Sequence, residues 1–386
     1  MNILFILLKF PIYGGVEQVS ITLANALQEK GYNIHFLSQE GEKKELLKKL
    51  HPRIRYFYVN NYSTNSHNLE TIINYINNNN IKCIFNQGCH PSVDQFLYHL
   101  HKKKEIPIIS ILHTDPLISI KDIQRNFIGY SWKACLKKLF KPIYIKYIKS
   151  TIKNNYQKVS YFSHTIILLS EYYKESFQLY SKSSNQQILV IPNLFTFPKN
   201  SDQFLKKKKE VLYVGRITEQ AKRFSRIINI WSNIWQKFPE WKLIIIGDGE
   251  DKSNILESIK KRTIQNIEFK GFQKDVTPFM QQADILMLTS DSEGFPMVLI
   301  EAMHEQCIPI VYGTFPTSKE IITNKIDGII IPPFNQGLYE KELCNLMQDS
   351  QLRDKMKYNA VKKSMLYSTN KILPYWIQLI NNIITK

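Results

Sequence analysis

The chain has 386 residues, 44% of them hydrophobic, and its 51 Lys and Arg against 33 Asp and Glu give a formal net charge of +18 at pH 7. This length and apolar content exclude a disordered chain and predict two domains. The positive charge favours anionic partners such as nucleotides or an anionic membrane face. Five scattered cysteines without metal-ligand spacing fit a reducing cytoplasm.

The first half of the chain alternates apolar runs with helical patterns. The first run, residues 3–8, is expected to be a buried strand because it is too short for a secretion signal. A Gly14-Gly15 turn follows, and then a helical pattern that begins at Val16 and closes at Gly31. Further strands are predicted at residues 34–37, 83–85, 108–112, 166–169 and 188–191. No window approaches the roughly 20 apolar residues that a membrane-spanning helix needs.

Residues 132–158 form a basic segment with eight lysines and no carboxylate. Apolar side chains recur in it at helical spacing, and Pro142 is expected to kink the helix: Leu136, Leu139, Phe140, Ile143, Tyr147 and Ile148. One interpretation is an amphipathic helix that contacts an anionic membrane. The other is an ordinary domain helix with a lysine-rich solvated face. No nucleic-acid partner is predicted, because Arg-rich clusters are absent and the aromatic residues fall on the apolar face.

After a polar, lysine-rich stretch at residues 192–209, interpreted as an interdomain linker, the alternation begins again. Strands are predicted at residues 211–214, 243–246, 267–269, 285–288, 308–311 and 328–331. Alternation of strands and helices predicts parallel sheets covered by helices on both faces. The predicted fold class is therefore α/β, with two Rossmann-like doubly wound parallel-sheet domains facing a central cleft. Ligands of such sheets bind beyond the carboxyl ends of the strands.

The most informative motif is residues 291–302, which follow the predicted strand 285–288. Pro296 suits the first turn of a helix, where its missing N–H has no cost. Glu301 would then lie more than a turn along the helix, and Glu293 in the loop before it. This arrangement offers free backbone N–H groups to an anion and two carboxylates to the hydroxyls of a sugar or ribose. It indicates an enzyme that handles a sugar nucleotide.

Two basic residues are candidates for the phosphates of such a ligand. Arg216 ends the first strand of the second unit, and Lys222 lies near the start of the next helix. A guanidinium binds phosphate oxygens bidentately, and an ammonium adds a point charge. Fixed cations would stabilise the negative charge that grows on a departing diphosphate. The alternative is that these residues only form surface ion pairs.

Weaker candidates follow other predicted strands. Gly271 and Phe272 could lie beside a nucleobase, Phe272 by stacking. Asp248 could serve only as a helix cap. His113 closes the strand at residues 108–112 and could contact a transferred sugar or be purely structural, and His90 is a weaker candidate for the acceptor side.

Taken in order, several segments resemble the retaining nucleotide-sugar glycosyltransferases of family 4, the group 1 type with the GT-B fold. The segments are Gly14-Gly15-Val16-Glu17, Val214-Gly215-Arg216 with Lys222, Gly247-Asp248-Gly249, Gly271-Phe272, and Glu293-Gly294-Phe295-Pro296 through Glu301-Ala302. The resemblance covers nearly the whole chain and is clearest in the second half. Two departures are Gln18, where many members carry a basic residue, and a looser Gly/Pro-Glu turn at residues 313–320.

The resemblance implies an acceptor domain at residues 1–195, a donor domain at 196–369 and a final helix at 370–386 that crosses back to the first domain. It implies that Arg216 and Lys222 hold the donor diphosphate, and that Glu301 binds ribose. It also implies further donor contacts: Glu293 and His113 to the sugar, Gly15 by close approach, Gly271 and Phe272 to the base, and Gly294, Phe295, Pro296, Met297 and Val298 through the backbone. No metal is expected.

The expected reaction moves a hexose-type sugar from a nucleoside diphosphate to a hydroxyl of a glycan or lipid-linked acceptor, with retention at the anomeric carbon. The expected context is cell-surface polysaccharide or lipopolysaccharide synthesis in the cytoplasm, at the inner face of the membrane. The resemblance favours front-face attack over a covalent intermediate, so Glu293 is not expected to be a nucleophile. Two alternatives stay open: a sugar-nucleotide epimerase or phosphorylase of the same fold, and a non-catalytic basic protein that binds glycan or membrane.

Overall fold

The computed structural model describes residues 1–121, 132–181, 187–197 and 207–384, and within 132–140 only the helical backbone. The chain forms two compact units. Unit 1 comprises residues 1–196 and 369–386, and unit 2 comprises residues 197–368.

Unit 1 is built on a seven-stranded parallel sheet in the order β3-β2-β1-β4-β5-β6-β7. The strands are β1 Asn2–Phe10, β2 Asn33–Glu40, β3 Arg55–Tyr58, β4 Ile81–Gln87, β5 Ile108–Leu112, β6 Thr165–Leu168 and β7 Gln187–Val190. The helices are α1 Gly15–Glu29, α2 Ser66–Asn78, α3 Pro91–Lys103, α4 Trp132–Phe162 and α5 Tyr172–Ser181, joined by α13 Thr369–Ile384 from the end of the chain. The strand order reverses between β1 and β4, which makes their carboxyl ends a switch point.

Aromatic stacking fills the centre of unit 1. The ring of Phe5 lies 5.4 Å from that of Phe36 and 5.0 Å from that of Phe85. Trp376, on the last helix, packs 5.7 Å from Phe85 and is almost fully buried. The last helix therefore belongs to the core of unit 1.

Unit 2 has a six-stranded parallel sheet in the order β10-β9-β8-β11-β12-β13. Its strands are β8 Glu210–Val214, β9 Lys242–Ile246, β10 Ile267–Gly271, β11 Ile285–Leu288, β12 Ile308–Tyr312 and β13 Ile329–Ile331. Its helices are α6 Ser225–Ile234, α7 Lys252–Lys261, α8 Thr277–Gln282, α9 Met297–His304, α10 Ser318–Ile321, α11 Gln336–Gln348 and α12 Ser350–Ser364. The switch point lies between β8 and β11. The predicted fold class, two doubly wound α/β domains, is confirmed.

Two details differ from the sequence-based expectation. Strand β3 was not predicted, because Arg55–Tyr58 is an edge strand whose side chains are half-buried or exposed and show no continuous apolar run. Pro296 is the N-cap of α9 and not a residue of its first turn. Among the described helices, none is both long and apolar enough to cross a bilayer.

Candidate active site

The strongest candidate residues of unit 2 lie at its switch point. Arg216 and Lys222 follow β8, and Glu293 follows β11. These two strands are neighbours in the sheet, with Val211 opposite Ile285. Because the strands are parallel, their carboxyl ends lie side by side, and the loops that carry the three residues meet at one edge.

The turn that carries Arg216 is held by the neighbouring β9 loop. The Gly215 amide donates to the Ile246 carbonyl at 3.0 Å, and the Ile217 amide donates to the Asp248 carbonyl at 2.9 Å. Gly247 has φ +140, and a Cβ built there would lie 1.9 Å from the Gly215 carbonyl oxygen, so only glycine fits. This packing leaves the Arg216 side chain exposed, with no hydrogen-bond or ion-pair partner in the described part of the chain.

Lys222 and Glu293 form an ion pair. The Lys222 Nζ lies 2.5 Å from Glu293 Oε1, and the two side chains are 25% and 13% exposed. Burial raises the pKa of the Tyr213 hydroxyl, which the carboxylates of Glu293 and Glu219 raise further and the Arg216 guanidinium lowers. Arg216 and Glu293 are thus both within electrostatic reach of Tyr213, whose hydroxyl also donates to the Arg216 carbonyl at 2.7 Å. The structure brings together Arg216, Lys222 and Glu293.

A buried carboxylate holds the loop that carries Lys222. Asp291, 1% exposed, accepts from Arg223 Nε at 2.7 Å and from Arg226 Nη1 at 2.6 Å. Its amide donates to the Ala221 carbonyl at 2.8 Å. Arg226 Nη1 also donates to the Thr289 carbonyl at 3.1 Å. No role was predicted for Asp291, Arg223 or Arg226 from the sequence, although the spacing of the two arginines and the position of Asp291 two residues before Glu293 were available signals.

The rest of the acidic motif packs around the start of α9. Phe295 is buried, and its ring lies edge-on to Tyr367 at 5.6 Å. Pro296 cannot cap α9 with a side chain, so the first-turn N–H groups at the positive end of the helix are not capped by that residue. Glu301 is half-buried on the same helix, more than a turn beyond its start. Gly294, Met297 and Val298 are half-buried.

The candidates at the carboxyl ends of β9 and β10 lie on one outer side of the sheet, where β10 is the edge strand. Gly271 has φ +66, and a Cβ there would meet no atom within 4 Å. Phe272 is 51% exposed. Asp248 is also exposed and accepts from the Gly249 amide at 2.9 Å and from Lys252 Nζ at 3.1 Å, so its carboxylate is used within its own loop.

The candidates of unit 1 lie at the carboxyl edge of its sheet. A Cβ at Gly15, the first residue of α1, would meet no atom within 4 Å. His113, one residue past β5, is 9% exposed, and its Nε2 lies 2.8 Å from Gln87 Oε1 at the end of β4. Burial lowers the pKa of His113 to about 4, so the ring is neutral near pH 7. His90 caps α3, where its Nδ1 accepts from the Ser92 amide at 3.3 Å.

Within the described residues, no group of three or more His, Cys, Asp and Glu side chains could hold a metal ion. The described cysteines are free thiols, and Cys83, Cys89 and Cys307 are buried.

Comparisons with known proteins cover both units. A family model described as Glycosyltransferase Family 4 matches residues 13–195, and one described as Glycosyl transferases group 1 matches residues 196–363. The chain is 33% identical over 223 residues to the amylovoran biosynthesis glycosyltransferase AmsD of Erwinia amylovora, covering 56% of this chain and 62% of that protein.

A second relative is a Campylobacter jejuni alpha-1,4-N-acetyl-D-galactosaminyltransferase named for a GalNAc-containing PP-undecaprenol acceptor. It is 24% identical over 241 residues, which is 61% of this chain and 66% of that enzyme. The alignments thus span less than two thirds of the length of either relative. Among solved structures, Anabaena Alr3699/HepE in complex with UDP and glucose aligns with a TM-score of 0.76 and 15% identity, over 99% of this chain and 100% of that chain.

Two doubly wound domains with this structural likeness define an enzyme fold of the GT-B class. Since the two family models together account for both units, the chain belongs to the group 1 glycosyltransferases of family 4. It is accordingly a transferase, and the predicted family is confirmed.

Proposed function

We propose that the protein transfers a hexose-type sugar from a nucleoside-diphosphate sugar to a hydroxyl of a glycan or lipid-linked acceptor, with retention at the anomeric carbon and without a metal. The observation that carries this proposal is the cluster of Arg216, Lys222 and Glu293 at the switch point of unit 2. Two cations and a carboxylate in that place suit a diphosphate and a sugar hydroxyl. The UDP and glucose bound to the Anabaena neighbour support the class of donor.

Each residue of the cluster would have a distinct role. Arg216, exposed at the edge, would bind the diphosphate bidentately, and Lys222 would add a point charge on the leaving oxygen. Glu293 would accept hydrogen bonds from the sugar, and Glu301 from the ribose. The first-turn N–H groups of α9 would stabilise the same negative charge.

Four further candidates would also contact the donor. Gly15 would allow close approach of the donor, and His113 would lie beside the sugar. Phe272 and Gly271 would contact the base. The departing phosphate would help to deprotonate the acceptor hydroxyl in a front-face attack. The PP-undecaprenol in the name of the Campylobacter relative supports a lipid-linked acceptor. The cellular context that we propose is synthesis of a cell-surface polysaccharide or lipopolysaccharide.

Thermal stabilisation by a panel of nucleotide sugars identifies the donor, because a bound ligand raises stability by mass action. Free nucleoside diphosphate should then appear only when an acceptor is added, and NMR of the product should show the anomeric configuration of the donor. An isomerised donor without acceptor would support an epimerase instead. Donor turnover by orthophosphate would support a phosphorylase, and tight acceptor-glycan binding without turnover a non-catalytic protein.

Arg216→Ala tests the diphosphate site directly. The matched control is Lys341→Ala, which removes the same charge from an exposed position on α11. We expect kcat/KM to fall about 100-fold or more in Arg216→Ala, the scale of losing one transition-state contact, and to stay unchanged in the control. Near-normal turnover in Arg216→Ala would remove its assigned role.

We also propose that α4 contacts the anionic inner face of the cytoplasmic membrane. Ile143, Tyr144 and Tyr147 are 67%, 45% and 63% exposed along one side of the helix. Lys146 and Lys153 are on the adjacent side, and Lys146 is exposed. Apolar and aromatic groups flanked by lysines suit the headgroup region of an anionic bilayer.

Sedimentation with vesicles of phosphatidylglycerol and phosphatidylcholine tests the membrane contact. Binding should require the anionic lipid and weaken as salt is raised. Tyr147→Ser should reduce binding, whereas Leu179→Ser, which removes another highly exposed apolar side chain on α5, should not. Equal binding to vesicles of phosphatidylcholine alone would contradict the proposal.

A further inference from the structure

A cavity of about 450 Å³ lies at the amino edge of the sheet in unit 1. The residues that line it include Asn2 at the start of β1, Asn33 at the start of β2 and Arg55 at the start of β3. Because the strands are parallel, their amino ends share one edge, and the carboxyl ends near Gly15 and His113 share the other. Strand β1 has nine residues, and a rise of about 3.3 Å per residue separates the two edges by roughly 25 Å. The cavity is therefore separate from the candidate site residues of unit 1.

Two arginines without carboxylate partners line this cavity. Arg53 and Arg55 are both exposed, and neither guanidinium forms an ion pair within the described residues. Arg55 Nη1 donates to Asn79 Oδ1 at 3.5 Å, a long contact that leaves most of the guanidinium donors open. No Asp or Glu is among the described residues that line the cavity. The positive charge of the two arginines is therefore not compensated there.

The backbone that carries both arginines is held by unit 1. Arg55 stands opposite His35 in the register between β3 and β2. The Arg53 amide donates to His51 Nδ1 at 3.2 Å, and the His51 amide donates to Asn25 Oδ1 on α1 at 2.8 Å. The two side chains thus start from ordered backbone, so a ligand between them orders little more than the side chains themselves.

The charge of Arg55 is felt inside the cavity. His35 lines the cavity and is 3% exposed, and its Nδ1 lies 2.8 Å from the Tyr75 hydroxyl. Burial, and then the charge of Arg55, lower the pKa of His35 to about 4. The ring is therefore neutral near pH 7, and the charge that disfavours its protonation favours a bound anion.

We propose that this cavity is a second ligand site, which binds a small phosphate monoester that also carries hydroxyls, such as a sugar phosphate, with Arg53 and Arg55 on the phosphate. Two guanidiniums match the double negative charge of a phosphate monoester and bind its oxygens bidentately. The volume of about 450 Å³ falls in the range of about 300–1,000 Å³ of small-molecule sites, so there is room for more than the phosphate. Asn33 Nδ2 donates to Asn2 Oδ1 at 2.9 Å, which leaves Asn33 Oδ1 to accept from a hydroxyl. This site does not depend on the proposed function.

Titration calorimetry with glucose 1-phosphate tests the site in the Arg216→Ala variant, which lacks the proposed diphosphate ligand of unit 2. We expect binding to persist there and to weaken at least about 10-fold when Arg53→Ala or Arg55→Ala is added, the scale of losing a charge-assisted hydrogen bond. Arg262→Ala is the matched control, because it removes an exposed arginine that donates to Asn229 Oδ1 at 2.8 Å, and it should leave binding unchanged. Binding that is lost in Arg216→Ala, or that neither cavity substitution weakens, would overturn the proposal.

Spectra of protein with 15N-labelled histidine locate the ligand. Glucose 1-phosphate should shift the ring signals of His35, which are assigned among the nine histidines by their loss in His35→Asn. The signals of His90, at the N-terminus of α3 on the opposite edge of the sheet, should stay in place. Unmoved His35 signals would place the phosphate elsewhere and contradict the proposed site.

A lipid headgroup is the other source of the same phosphate group. Sedimentation with vesicles of phosphatidic acid and phosphatidylcholine distinguishes the two sources. We expect Arg53→Ala and Arg55→Ala to leave vesicle binding unchanged, because the ligand is a soluble molecule. Vesicle binding that needs both arginines, with no affinity for glucose 1-phosphate, would replace the small molecule by a lipid and overturn the proposal. None of these measurements needs donor turnover, so an inactive transferase would count against the proposed function alone.

Discussion

Replacing Asp291 with asparagine tests whether the Lys222 loop is held by buried charge. The substitution keeps the size of the side chain and removes its negative charge. Asp291 is 2% exposed as a side chain, whereas Arg223 and Arg226 are 22% and 24% exposed. Both guanidiniums would lose their carboxylate while remaining close to the protein interior.

The expected cost follows from this burial. Removing one partner of a fully buried ion pair costs about 3–5 kcal/mol. The two arginines keep some contact with water and the asparagine keeps one acceptor oxygen, so we expect about 2 kcal/mol. For a domain of 150–250 residues this lowers Tm by roughly 4–8 °C. Because the same contacts position Lys222, binding of the nucleoside diphosphate should weaken as well.

Differential scanning calorimetry and titration calorimetry with the donor measure the two effects. The control is Asp248→Asn, which removes a carboxylate that is 58% exposed and pairs with Lys252 at 3.1 Å. An exposed pair contributes only about 0–1 kcal/mol, so the control should unfold and bind almost as the wild type does. Equal Tm and donor affinity for Asp291→Asn and the control would refute the view that Asp291 organises the loop.

Two further predictions concern backbone space and pH. Gly247→Ala should destabilise unit 2, because the new Cβ would meet the Gly215 carbonyl oxygen at 1.9 Å. Gly15→Ala should leave the Tm nearly unchanged and weaken donor binding, because its Cβ meets no protein atom within 4 Å. Calorimetry with and without donor measures both effects, and an equal loss of Tm in the two variants would contradict the steric argument. Burial lowers the pKa of His113 to about 4. Between about pH 6.5 and 4 the unfolded chain therefore binds a proton that the folded chain does not, and stability falls as the pH falls. The urea midpoints at pH 7 and pH 5 should differ less in His113→Asn than in the wild type, and an equal difference in both would rule out this contribution.

The strands were the most predictable part of the fold. The central strands of parallel sheets are buried on both faces, so they appear as continuous apolar runs, and the run predicted at residues 285–288 is β11. The edge strand Arg55–Tyr58 lacks that signal, with Tyr56 49% exposed. The predicted linker at residues 192–209 extends too far at its C-terminal end. Lys207 Nζ donates to the carbonyls of Met280, Ala283 and Glu305, so this residue is anchored in unit 2.

The site was predictable as far as local sequence determines it. Arg216 and Glu293 each follow an apolar run, and the rule that ligands bind at strand ends predicts their edge of the sheet. The pairing of Gln87 with His113 could not be predicted, because it depends on the register between β4 and β5. The ion pairs of Asp291 with the two arginines depend in the same way on the pairing of β11 with β8. These contacts join residues more than 20 positions apart, which periodicity does not report.

The charges of Lys222 and Glu293 balance each other before any ligand binds. Each side chain is mostly buried, and either one alone would be costly to hold there. A diphosphate that takes Lys222 as its own partner removes one donor from Glu293, and sugar hydroxyls are well suited to replace it. Under the proposed function, the intact nucleotide sugar therefore satisfies both charges, while the free nucleoside diphosphate satisfies only the cation. Departure of the nucleoside diphosphate after cleavage would then return Lys222 to Glu293, and this exchange of partners offers a physical reason for a carboxylate beside a phosphate site.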